Sequence, residues 1–262
     1  MKLCLYSGAG NTFVVLDGRK TLPEFDVVGL CSRFGTDGLM VLRSASDCDF
    51  KMDYYNSDGS GGMMCGNGGR CIVAFADHLG IQPADGKVYS FRAADGMHTG
   101  EVLKMEGEQK TVRLRMIDVT EFHPALDGWF LDTGTRHFVK FVPDVESLDI
   151  QQEGRRYRWD LTFAPVGANA NFVQVADVLK VRTFEKGVED ETLACGTGIT
   201  ASALAASLTG VAPNSVDEDG RKHYSIRARR DDLSVDFLQG AQAFTSVYLT
   251  GPTTLVSVES LS

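Results

Sequence analysis

One pattern occurs twice in this chain and constrains it more than any other: a CysGlyXaaGly sequence opening a helix-forming stretch, once at Cys65 and once at Cys195. From Cys65, Gly80 lies fifteen positions on and Pro83 eighteen; from Cys195 the same counts reach Gly210 and Pro213. Between these marks Cys71, Ile72, Phe75, Ala76 and Leu79 fall at three- and four-residue steps, as do Ile199, Ala203, Leu204 and Leu208, which is helical spacing. Gly80 and Gly210 suit the left-handed position after a helix, and the prolines block its continuation. Each cysteine therefore sits at a helix N-terminus.

A strand-like stretch precedes each copy, from Asp49 to Tyr55 and from Leu179 to Phe184, and a polar turn follows it, from Asn56 and from Glu185. A fainter echo links GlyAlaGlyAsnThrPheValVal from Gly8 with ThrGlyThrArgHisPheVal from Thr133, both glycine turns feeding a β-rich run. Further strands are predicted over 39–43, 88–93, 111–117, 138–142, 171–178, 225–229, 233–238, 243–249 and 254–259. Many strands with two principal helices imply two duplicated α/β halves, each a curved sheet wrapped on its helix, with a boundary near Asp118 to Pro124.

The formal charge of −9 over 262 residues, with the basic residues scattered, argues against an extended nucleic-acid surface. No apolar run approaches the ~18 residues of a membrane span, and Ser7, Gly8 and Gly10 cut short any signal-peptide core, so a cytoplasmic protein is expected. The six cysteines lie at irregular intervals in a chain too large to need disulfide staples. Cys65 and Cys71 lack zinc-site spacing and have no nearby histidine, so no metal is expected. Cys4, Cys31, Cys48 and Cys71 read as core. GlyAlaGlyAsnThrPhe lacks the GlyLys of a P-loop and the full dinucleotide fingerprint, so no nucleotide cofactor is implied.

A thiol at a helix N-terminus is acidified by unpaired backbone N–H groups and the macrodipole, which makes a usable base near neutral pH. The glycines beside it let those N–H groups approach an anion, and a carboxylate is the natural guest. Two such units face to face would hold one carboxylate and present a thiol to each side of the neighbouring carbon. Removing an α-proton leaves a near-planar carbanion whose two faces need two proton handlers, and duplication supplies both. With no pyridoxal-type lysine site evident, hydrogen bonds to the carboxylate and exclusion of water would have to stabilise the carbanion.

The residues carrying this reading resemble diaminopimelate epimerases nearly end to end. The anchors are Gly8 to Asn11, Asn56 to Ser60, Cys65 to Gly68 with Arg70 and Cys71, Ala168 with Asn169, and Glu191 to Gly198. The resemblance implies a cofactor-independent isomerase that interconverts LL- and meso-diaminopimelate in lysine and peptidoglycan precursor synthesis, with Cys65 and Cys195 as the bases. It implies an α-carboxylate held by the N–H groups of Gly66, Asn67, Gly196 and Thr197. Asn11, Asn56, Asn169, Glu185 and Lys186, with Thr135, would then face the distal end, and His137 and Glu185 would flank the thiols. The implied fold is α+β: two pseudo-symmetric lobes, each a mostly antiparallel sheet or barrel around a central helix. These lobes cover residues 1–117 and 118–250, with a last strand over 251–262 returning to the first lobe, and the family is commonly homodimeric.

Three departures from the family pattern stand out: Thr12, Thr135 with Arg136, and Lys186 where arginine is usual, which keeps the charge but loses the bidentate grip. They keep open a related racemase acting on proline or hydroxyproline, or an isomerase like the phenazine-biosynthesis relatives. A thiol redox protein using Cys65 and Cys195 is the reading from another class. A cysteine protease pairing Cys195 with His137 leaves the second copy unexplained.

Overall fold

The computed structural model describes residues 2–62 and 65–260; Met1, Met63, Met64, Leu261 and Ser262 lie outside the described residues, and with them the ends of the expected first lobe and last strand. The chain divides into two compact units, one of residues 1–115 and 250–262, the other of residues 116–249.

The first unit contains β1 (Lys2–Gly8), β2 (Asn11–Asp17), α1 (Val27–Phe34), β3 (Gly38–Arg43), β4 (Phe50–Asn56), α2 (Gly66–His78), β5 (Val88–Ala93), β6 (Gly96–Glu106) and β7 (Gln109–Arg115). Successive strands pair from β1 through β7, parallel for β2 with β3 and β4 with β5 and antiparallel elsewhere. The final strand, Phe244–Ser260, pairs antiparallel with both β7 and β1, so eight strands close into a barrel without an edge. Helix α2 packs on β1, β2, β3, β6 and β7, and every residue from Gly66 to Ala76 is buried. A helix covered this completely must be apolar or small on nearly every face. GlyAsnGlyGlyArgCysIleValAlaPheAla meets that demand except at Asn67 and Arg70.

The second unit comprises β8 (Phe122–Ala125), β9 (Gly128–Asp132), β10 (Arg136–Phe141), α3 (Ile150–Arg158), β11 (Asn169–Val175), β12 (Leu179–Glu185), β13 (Asp190–Thr192), α4 (Gly196–Leu208), β14 (Ser215–Val216), β15 (Lys222–Arg227), β16 (Asp232–Gln239) and the start of β17 (Phe244–Ser260). Its sheet runs β8-β9-β10-β11-β12-β15-β16, with parallel pairs at β10–β11 and β12–β15. Helix α4 packs on β9 to β12, β15 and β16. Its alanines fit that enclosure, and the buried hydroxyls of Thr200 and Ser202 donate back to the carbonyls of Gly196 and Gly198.

Both principal helices stop as their punctuation demands: Gly80 (φ 71°) and Gly210 (φ 84°) take the left-handed conformation after Leu79 and Thr209. Two shorter helices, α1 and α3, add to the two expected. Each buries only a narrow stripe, Leu30 with Cys31, and Ile150, Gly154, Tyr157 and Arg158, which leaves a weak periodic signal. The strands expected over 243–249 and 254–259 are one element, β17. GlyPro at 251–252 reads as a break, yet Pro252 faces β7 while pairing with β1 begins only at Thr254. Its missing N–H therefore costs no ladder bond on the unpaired side. Cys48 is also corrected: it is half-buried in the turn before β4, with its thiol donating to the Phe50 carbonyl at 3.1 Å.

Candidate active site

In the first unit Cys65 occupies the N-cap of α2 in an extended conformation (φ −106°, ψ 153°), and its sulfur accepts from the Gly68 N–H at 3.2 Å. A thiol thus stands where serine or aspartate commonly caps a helix, half-buried beside the N–H groups of Gly66 and Asn67. Two residues on, Asn67 Nδ2 donates to Asn11 Oδ1 at 2.6 Å, and Asn67 Oδ1 accepts from Arg70 Nη2 at 2.9 Å. Arg70, fully buried, also donates to the Gly66 carbonyl at 3.1 Å. Because a guanidinium only donates, it sets the orientation of the Asn67 amide, and Asn67 in turn sets that of Asn11. Asn56 ends β4, and its Nδ2 donates to Ser60 Oγ at 2.9 Å within its own turn. Cys71, one turn further along α2, is wholly enclosed, and burial pushes its thiol pKa far up.

In the second unit Cys195 is the N-cap of α4 (φ −100°, ψ 110°) but caps no N–H of that helix. Its sulfur lies 3.4 Å from Thr197 Oγ1, and Glu185 at the end of β12 stands beside it. Burial raises the Glu185 pKa, and the neighbouring Thr192 and Cys195 side chains partly offset that. His137 in β10 is fully buried, with Nε2 2.9 Å from both Thr135 Oγ1 and Thr197 Oγ1 and Nδ1 3.1 Å from Asn171 Nδ2. Desolvation brings its imidazole pKa down to about 3, so the ring is neutral. Thr133 Oγ1 donates to the Thr197 carbonyl at 3.0 Å and steadies the first turn. Asn169 Nδ2 donates to the Arg136 carbonyl at 2.9 Å while its Oδ1 accepts from the Lys186 N–H at 2.8 Å, tying β10 to the turn after β12.

The diaminopimelate epimerase family profile matches residues 3–113 and 129–256, almost the whole of both units. The chain belongs to this family. It is an isomerase of the epimerase type. Among its relatives, the diaminopimelate epimerase of Flavobacterium psychrophilum is 38% identical over 98% of each chain. That of Chlorobaculum tepidum is 43% identical over 80% of this chain and 85% of its own. The fold is shared more widely than the sequence. The Bacillus anthracis phenazine biosynthesis protein of the PhzF family superposes with a TM-score of 0.76 at 13% identity, covering 100% of this chain and 99% of that one. A probable proline racemase from Agrobacterium radiobacter K84 gives 0.66 at 15% identity, covering 100% and 92%.

The structure gathers Cys65, Gly66, Asn67 and Asn11 at one helix start, and Cys195, Gly196, Thr197, His137, Thr135 and Glu185 at the other, with Asn169 and Lys186 joined beside β12. Asn56 bonds within its own turn. Sequence reasoning missed Asn171, Thr183 and Thr192 and assigned no task to Arg70. The available signal was a polar residue where an apolar one belongs: Asn171 inside the buried run of β11, and Arg70 on an enclosed helix. Among the described residues no group of three or more His, Cys, Asp or Glu side chains is arranged to hold a metal, and no helix is long and apolar enough to cross a membrane.

Proposed function

We propose that this protein interconverts LL- and meso-diaminopimelate without a cofactor, by two-base proton transfer with Cys65 and Cys195 as the proton handlers. One thiolate removes the α-proton and becomes a thiol. The other thiol delivers its proton to the opposite face of the carbanion and becomes a thiolate, so charge and protons balance and the pair ends with exchanged roles. The α-carboxylate rests on the N–H groups of Gly66, Asn67, Gly196 and Thr197, where two helix N-termini offset the charge that builds as the α-proton leaves. Asn11, Asn56, Thr135, Asn169 and Lys186 face the distal end. The reading includes a cytoplasmic homodimer that serves lysine and peptidoglycan precursor synthesis.

The observation that carries it is the repetition: in each unit a strand, a turn and a cysteine N-cap lead into a buried helix, within a chain that belongs to the diaminopimelate epimerase family. In heavy water each isomer should gain deuterium first in the inverted product. Cys65→Ala and Cys195→Ala should each lower turnover by ~10²–10⁴-fold. Full turnover in either variant overturns the two-thiol mechanism, and activity on proline with none on diaminopimelate moves the substrate to the racemase branch. A redox protein would instead show no isomerase activity in reductant.

A further inference from the structure

The Asn171 amide is wholly buried and held from three sides. Its Nδ2 donates to the Phe138 carbonyl at 2.9 Å, and its Oδ1 accepts from Thr183 Oγ1 at 2.9 Å. A carbonyl oxygen can only accept, so the nitrogen of this amide is identified, and both its hydrogens are donors. The second hydrogen meets His137 Nδ1 at 3.1 Å, which makes Nδ1 the lone-pair nitrogen and leaves the ring proton on Nε2. Nε2–H then donates toward the hydroxyls of Thr135 and Thr197, both 2.9 Å away. A hydroxyl that accepts there must send its own hydrogen elsewhere, and for Thr197 the acceptors are Thr135 Oγ1 at 3.1 Å and Cys195 Sγ at 3.4 Å.

We infer that Asn171 and His137 are positioning residues that aim the Thr197 hydroxyl at the Cys195 sulfur as a donor for its thiolate form. The inference rests on the reading of Cys195 as an acid/base thiol. A thiolate is a charged acceptor and outcompetes the neutral Thr135 hydroxyl for that hydrogen. The protonated form faces Glu185, a carboxyl acceptor that stands beside Cys195 at the end of β12. Each protonation state of Cys195 thus has a complementary neighbour, Glu185 from β12 for the thiol and Thr197 from α4 for the thiolate. His137 reaches the sulfur through Thr197. Its burial, which keeps the ring neutral, preserves the Nδ1 lone pair that Asn171 requires.

The test measures thiol reactivity without substrate. Iodoacetamide alkylation of Cys195 in the intact protein is followed by mass spectrometry at one pH, with Cys65 as the internal reference. Losing a charge-assisted hydrogen bond lowers the thiolate fraction by about tenfold or more. Part of that is returned by the greater nucleophilicity of a more basic thiolate, so Thr197→Val should slow alkylation by about 3- to 10-fold. Thr197→Ser should recover most of the rate. Asn171→Asp, of the same shape, puts an acceptor against Nδ1, which should move the ring proton to Nδ1 in imidazole ¹⁵N spectra and slow Cys195 as Thr197→Val does. Wild-type protein with its proton on Nδ1, or a folded Thr197→Val protein alkylated at the wild-type rate, overturns the inference. Full epimerase turnover in Cys195→Ala would instead overturn the functional reading, and it leaves the alkylation result standing.

Discussion

Replacing Gly198 with alanine places a methyl group 2.3 Å from Asn171 Oδ1 and 3.3 Å from His137 Cε1. The first approach falls about 1 Å short of an ordinary 3.4 Å contact, so something must move. Helix α4 is enclosed along its length and cannot retreat cheaply, so the amide is displaced. A shift of that size takes the 2.9 Å bonds to Phe138 and Thr183 and the 3.1 Å bond to His137 out of hydrogen-bond reach. Two or more buried polar groups left unsatisfied cost ~1–3 kcal/mol each. Overpacking adds ~1–3 kcal/mol, while alanine in place of glycine inside a helix returns ~1 kcal/mol. The net expectation is a loss of at least ~2 kcal/mol. Gly210→Ala is the control: its φ of 84° disfavours a side chain, but an added Cβ meets nothing within 4 Å, so it should cost only ~1–2 kcal/mol. Urea unfolding with matched m-values reads both. If Gly198→Ala lies within ~1 kcal/mol of wild type, the account of Asn171 as an immovable buried support is wrong.

Acid stability should carry the signature of His137, whose folded pKa is depressed. An unfolded imidazole takes up a proton near its ordinary 6.5, whereas the buried ring resists protonation down to about 3. Between these values the unfolded chain binds more protons, so stability present above pH 6.5 is lost as pH falls, by ~1.4 kcal/mol per unit. Glu185, raised by burial, acts with the opposite sign, contributing stability that is lost as pH rises through its folded pKa. From pH 7 to 5 the wild type should therefore lose ~2 kcal/mol more than His137→Gln in urea unfolding, and equal losses would contradict a neutral buried ring. Lys186→Arg should lower KM for diaminopimelate several-fold with little change in kcat, because a guanidinium grips a carboxylate at two points; an unchanged KM would remove residue 186 from distal-end binding.

Features governed by a few neighbouring residues were legible before any coordinates. The strand over 88–93 is found as Val88–Ala93, both cysteines occupy helix N-cap positions, and Gly80 and Gly210 end those helices. Elements with weak local signals were not legible: α3 reads as a charged stretch until Ile150, Gly154 and Tyr157 meet the core. β17 reads as two strands until the register shows that Pro252 needs no second neighbour. The same division runs through the site.

The sequence by itself determined the duplicated strand, turn, cysteine and helix unit and the family to which the chain belongs, because capping, helix termination and periodicity act over one or two turns of chain. Only the tertiary structure decided which side chains serve those cysteines. Asn171 meets His137 across 34 residues, His137 meets Thr197 across 60, and Asn67 meets Asn11 across 56. Hydrogen-bond direction at such contacts is set by which strands lie side by side and how completely water is excluded, and no local pattern encodes either.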